Sequence, residues 1–195
     1  MITPDLVVAF LTLTFLEIVL GIDNIQAGRL AAQTLIERGY TRVGFMGGPK
    51  TATSTQDRYK GFLDEMSLHT GVELTASFAD GYSFEAGRAE MQKILKGTPS
   101  EAYFCGDDVL SIGALSAIQS AGQSVPNDIG LLGLNDMEMA GWANINLTTI
   151  QNPIKDIVAS SIELVTAMLK DDQHAPEARL FAGHVVERGT LRALK

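Results

Sequence analysis

At 195 residues, with 46% apolar and 19% charged residues, the chain has material for one sizeable core and is too apolar for a disordered protein. A net charge of -8 and the lack of any Lys/Arg-rich run argue against nucleic-acid binding through a broad basic face. The single cysteine, Cys105, excludes an internal disulfide framework and a CxxC metal site, and is compatible with a reducing cytoplasm.

The chain opens on an apolar run, Leu6 to Ile22, whose one charge is Glu17. A spanning helix wants about 20 apolar residues and this run offers roughly 17, so a membrane helix and a buried hydrophobic helix both stay open. A secretory signal is not expected, because Asp5 precedes the run and Arg29 is the first basic residue. At Gly21 to Ile25 the character of the sequence changes. The expected division is therefore a hydrophobic segment, 1–23, ahead of an α/β region, 24–195.

Beyond that seam the units are short and regular. Ile25, Leu30, Leu35 and Ile36 recur at helical spacing over 25–38, and Gly39 is a stop. Arg42 to Met46 reads as a buried strand, ended by Gly47-Gly48-Pro49. Ser54 is the expected cap of a helix running to about Leu68. Leu74 to Phe78 is a second strand, and Ser83 caps the helix that carries Met91, Ile94 and Leu95. A third strand, Ala102 to Cys105, leads to a helix from Val109 to Ala121, with Asp108 as its expected cap. Ile129 to Leu134 and Leu147 to Ile150 read as strands, 154–169 as a helix after Pro153, and the region of Val185-Val186 as a last strand. Such alternation implies right-handed βαβ units and a doubly wound parallel sheet.

Open parallel sheets bind ligands beyond the carboxyl ends of their strands. Those ends carry Arg58, Asp80-Gly81-Tyr82, Gly106-Asp107-Asp108 and Asn135-Asp136. A guanidinium, a ring, a carboxylate and an amide converging on one crevice suit a small polar ligand, with hydrogen bonds to hydroxyls or ring nitrogens. Enzyme chemistry finds no foothold. Gly44 to Thr51 nearly spells a phosphate-binding loop, but Pro49 stands at its second glycine and removes a backbone donor. His69, His174 and His184 lack metal-ligand spacing, and no Gly-x-Ser-x-Gly turn exists. No catalytic residue, metal or cofactor is expected.

Two resemblances meet at the seam. Asp23-Asn24…Ala27-Gly28, Ser54…Arg58…Gly61-Phe62, Gly106-Asp107-Asp108…Gly113-Ala114, Val125-Pro126, Gly133-Leu134-Asn135-Asp136 and Leu147-Thr148-Thr149-Ile150 together resemble the effector-binding region of the LacI family of transcriptional regulators. The resemblance implies a periplasmic-binding-protein-like fold, of which this chain holds one subdomain, and a sugar, nucleobase or similar effector. It implies that Arg58 binds effector and that Tyr82 stacks on it. Asp107 takes the place of a common ligand-binding asparagine, and Asn135 that of an aspartate, so amide and carboxylate have traded places. It further implies a homodimer through the helix carrying Ile112. The family's helix-turn-helix and most of its first subdomain have no counterpart here, so DNA binding by this chain alone is not expected. The apolar face of 154–169, with Ile157, Ile162, Leu164, Val165 and Met168, is expected to lack its usual cover.

Phe15-Leu16-Glu17-Ile18-Val19-Leu20-Gly21-Ile22-Asp23-Asn24 resembles the start of the TerC family of membrane proteins. The functional expectation is a cytoplasmic metabolite-sensing module. The alternatives are a membrane-associated fragment held by residues 6–22 and a fusion product without function.

Overall fold

The computed structural model describes residues 24–170, 179 and 181–194. The segment 1–23, with its hydrophobic run, lies outside the described residues. Helix α1 covers residues 24–37. It is followed by β1 (Arg42–Gly47), α2 (Thr53–Met66), β2 (Glu73–Phe78), α3 (Phe84–Ile94), β3 (Ala102–Cys105), α4 (Asp108–Ser120), β4 (Gly130–Leu134), a 3₁₀ turn (Glu138–Gly141), β5 (Thr149–Gln151), α5 (Ile154–Lys170) and β6 (His184–Val186).

The strands form one sheet in the order β2-β1-β3-β4-β5-β6. All neighbouring pairs are parallel except β5 with β6, which is antiparallel. The expected parallel, doubly wound sheet is therefore present, with an antiparallel strand at one edge. Parallel strands covered on both faces must be apolar on both. Successive residues divide accordingly: Phe45, Phe104 and Leu132 face one core, while Met46, Cys105 and Leu131 face the other. Helices α1 and α2 cover the first core through Ala31, Leu35 and Phe62. Helices α3 and α4 cover the second through Met91, Leu110 and Ile118. Phe45 anchors the first core, its ring centroid 5.9 Å from Phe62 and 5.8 Å from Phe104.

Two expected caps move. Helix α2 starts at Thr53, so Ser54 lies within its first turn, and its N-cap is Ala52 without a side-chain bond. Helix α4 is capped by Asp107, whose carboxylate accepts the Leu110 N–H at 2.8 Å. Asp108 is instead the first helical residue and is completely buried. Ser83 does cap α3, accepting from the Ala86 N–H at 3.1 Å.

The face of α5 also differs from expectation. Ile157 and Leu164 are buried, whereas Ile154, Val158 and Ile162, spaced four residues apart, are exposed. Among the described residues no helix is long and apolar enough to cross a membrane.

Candidate functional site

The chain leaves β1 toward α2 on one face of the sheet and leaves β3 toward α4 on the other. Loops that part in opposite directions from neighbouring parallel strands open a crevice at their carboxyl ends. Arg58 enters it from α2. Its Nε donates to Oδ1 of Asn24 at 2.8 Å, and its Nη1 donates to the Gly106 carbonyl at the end of β3, also at 2.8 Å. The guanidinium is thereby held between α1 and β3. Burial pulls its pKa down, while Tyr82 and Asp107 favour its charge.

Tyr82 closes one side. Its hydroxyl pairs with those of Thr55 and Ser54, and a Cβ at Gly48 would lie 2.5 Å from its ring. Only a residue without a side chain lets the ring lie so close over the loop after β1. Asp107 has two roles: it caps α4, and its charge faces Arg58. Burial raises its pKa, and the Leu110 N–H and Arg58 act in the opposite direction. Arg58, Tyr82 and Asp107 are thus one cluster, as the strand-end argument implied.

Asn135 stands one strand further along. Its backbone N–H donates to the Ile150 carbonyl at 2.8 Å, and its Oδ1 accepts from Asn152 at 3.2 Å. It shares the carboxyl edge with Asp107 but bonds toward β5 rather than toward Arg58. Next to it, Asp136 pairs with Arg188 at 2.6 Å and accepts from Gln151 at 2.8 Å. Sequence reasoning named neither Asn24 as a partner of Arg58 nor Arg188 as a partner of Asp136. Nothing short of the fold joins residues so far apart, although Asn24 did stand in the motif at the seam.

Three other residues can be placed. Ile112 is partly buried against the α3–α4 core. Trp142 is half exposed after the 3₁₀ turn. Cys105 is fully buried, and burial pushes its thiol up to about 12. A thiol reagent at pH 8 should therefore leave the native protein unmodified over minutes and label one equivalent once denaturant is added. Rapid native labelling would contradict that burial. Among the described residues no group of three or more His, Cys, Asp or Glu is placed to hold a metal ion.

Fold and crevice define an open, doubly wound α/β domain with a polar cleft at the switch between β1 and β3. Residues 32–191 match the periplasmic binding protein-like domain family, and the chain belongs to that family. It is 30% identical over 176 residues to the HTH-type transcriptional repressor CytR of Escherichia coli strain K12, a match covering 89% of this chain and 51% of that protein. A solved LacI-family transcriptional regulatory protein from Corynebacterium glutamicum is similar at 26% identity and a TM-score of 0.75, over 89% of this chain and 67% of that one. A complex of the transcriptional regulator CelR with cellobiose matches at 25% identity and a TM-score of 0.78, over 86% and 52%. The chain spans about half the length of the curated relatives it matches. These matches support the LacI-type effector-region resemblance. The TerC-like residues fall almost wholly outside the described part.

Proposed function

We propose that residues 24–195 are a LacI-type effector-binding region that senses a small metabolite of sugar or nucleobase type and performs no catalysis. The observation that carries this reading is the anchoring of Arg58. A half-buried guanidinium fixed by Asn24 and the Gly106 carbonyl, with a carboxylate and a phenol beside it, is prepared to meet a neutral polyhydroxylated molecule. In this reading Arg58 donates to a ligand oxygen, Asp107 accepts from a hydroxyl, Tyr82 covers an apolar face and Asn135 supplies an amide. The cellobiose complex of CelR supports a sugar as the first class to test. Control of transcription, in the cytoplasm, belongs to the regulator as a whole. Ile112 on α4 is the proposed contact with a second copy.

The test is a thermal-shift screen with ribose, cellobiose, sugar phosphates and nucleosides, on wild type and Arg58→Ala. A ligand at a hundred times its Kd adds about 2.7 kcal/mol. For a chain of this size that raises Tm by roughly 5–10 °C. The shift should vanish in Arg58→Ala. If no compound stabilises wild type more than the variant, the reading fails.

A further inference from the structure

A buried carboxylate joins the two polar ends of the crevice. Asp108 has 0% exposure, although it is charged in its ordinary state. One oxygen accepts from the Thr149 hydroxyl of β5 at 2.6 Å, and the other accepts the Met137 N–H at 2.7 Å. Strand β4 makes room for it: a Cβ at Gly133 would lie 2.2 Å from the carboxylate.

Met137 ends an unusual turn. Asn135 and Asp136 have φ of 106° and 52°, values that side-chain-bearing residues rarely adopt and that persist only when surroundings hold them. One hold is the bonding of Asp136 to Arg188 and Gln151. The other is Asp108. Asp107 immediately precedes one end of this tie, and Asn135 stands two residues before the other.

We propose that Asp108 is a positioning residue: without touching ligand, it bonds the start of α4 to the left-handed turn after β4 and so fixes Asp107 and Asn135 relative to each other. This rests on the reading that those two side chains face the effector, but the tie can be tested with no ligand present.

The chemistry of the two donors explains the choice of residue. The Thr149 hydroxyl can reverse and accept, whereas the Met137 N–H can only donate. An ionised carboxylate serves both. An asparagine also can, its carbonyl accepting from Met137 and its amide donating to a reversed Thr149 hydroxyl. Burial pushes the Asp108 pKa up to about 6, with Asp107 on α4 and Asp136 in the turn pushing the same way and the two bonds opposing. Of the charged neighbours, Asp136 is itself paired with Arg188, and β5 faces Asp108 with the uncharged Thr149. The tie therefore changes protonation in a mildly acidic range.

Amide exchange followed by NMR reads the turn directly at the Met137 N–H. In Asp108→Ala the protection of the Met137 amide should fall about tenfold or more while β1 and β3 keep theirs. Asp108→Asn should retain it at pH 8. The Asp108 carboxyl carbon followed by NMR should titrate with its midpoint raised above the ordinary carboxylate range, while the Met137 amide stays protected on both sides of it, since the protonated carboxyl, like an asparagine, can donate to a reversed Thr149 hydroxyl. Unchanged Met137 protection in Asp108→Ala, or protection lost in Asp108→Asn at pH 8, overturns the proposal. Should Asp108→Ala not fold, Thr149→Val decides: loss of the bond that favours the charged form must move the Asp108 carboxyl midpoint upward, and an unmoved midpoint counts against the tie. A ligand screen that fails while these responses hold removes the effector reading alone. Ligand binding without them removes the tie alone.

Discussion

Gly61→Ala and Gly28→Ala should each destabilise the protein by about 1–3 kcal/mol, the usual cost of forcing atoms into a packed contact. In Tm this is a fall of roughly 3–10 °C. The two glycines form a reciprocal contact between α1 and α2. A Cβ at Gly61 would lie 2.0 Å from the Ile25 carbonyl oxygen, and one at Gly28 would lie 2.2 Å from that of Arg58. Both obstacles are backbone, so no side-chain rotation relieves them and the helices must part. Parting them separates Asn24 on α1 from Arg58 on α2, whose 2.8 Å bond spans this crossing. Loss of stability should therefore be accompanied by loss of the Arg58 response in the ligand screen. Gly81→Ala is the control, since a Cβ there meets nothing within 4 Å. Melting of Gly61→Ala together with wild type would show that the contact is not tight.

Stability against pH gives the second large effect. Burial raises Asp108 from 3.8 to about 6, so between these values the folded state holds a proton that the unfolded chain has released. Folding is then opposed increasingly as pH rises, and the penalty is complete above the folded value. A shift of that size corresponds to about 3 kcal/mol. Relative to Asp108→Asn, wild type should thus lose up to about 3 kcal/mol between pH 4 and pH 7, measured by denaturant unfolding. Glu101 acts with the opposite sign. Hydrogen bonds from Thr41 and Arg42 hold its carboxyl below the ordinary value, so its stabilisation is present at neutral pH and lost in acid. Being common to both proteins, it cancels in the difference. A difference curve flat across this range would mean that Asp108 is not desolvated as its burial implies.

The two predictions concern the same crevice from opposite sides. The α1–α2 contact sets Arg58, and the Asp108 tie sets the polar edge of β3 and β4. Between them Tyr82 is fixed by the hydroxyls of Thr55 and Ser54. Arg58 and Tyr82 are thus each held by side chains bonded behind them, which is how a binding geometry is kept within a fraction of an ångström.

Much of the scaffold was legible in the chain itself. Ala102 to Cys105 reads as a strand because four apolar residues in a row suit a sheet covered on both faces, and the strand has those bounds. Ser83 reads as a cap because a hydroxyl ahead of a helical run meets a free N–H three residues on, a contact decided entirely within the segment. The Arg58, Tyr82 and Asp107 cluster followed from the rule that parallel strands present their carboxyl ends together. The sequence by itself thus determined elements whose energies are local, and the sheet that their alternation demands.

Only the tertiary structure decided which of two adjacent aspartates caps α4. Both satisfy the local pattern, but the Thr149 hydroxyl, 41 residues away, and the Met137 N–H draw Asp108 inward and leave the cap to Asp107. The same holds for Asn24 with Arg58, 34 residues apart, and for Asp136 with Arg188, 52 apart. The antiparallel course of β6 and the split of α5 into buried and exposed faces were likewise invisible. Each depends on which surfaces the chain brings together after it closes long loops. That outcome belongs to the whole fold, since no short window contains both partners of such a contact.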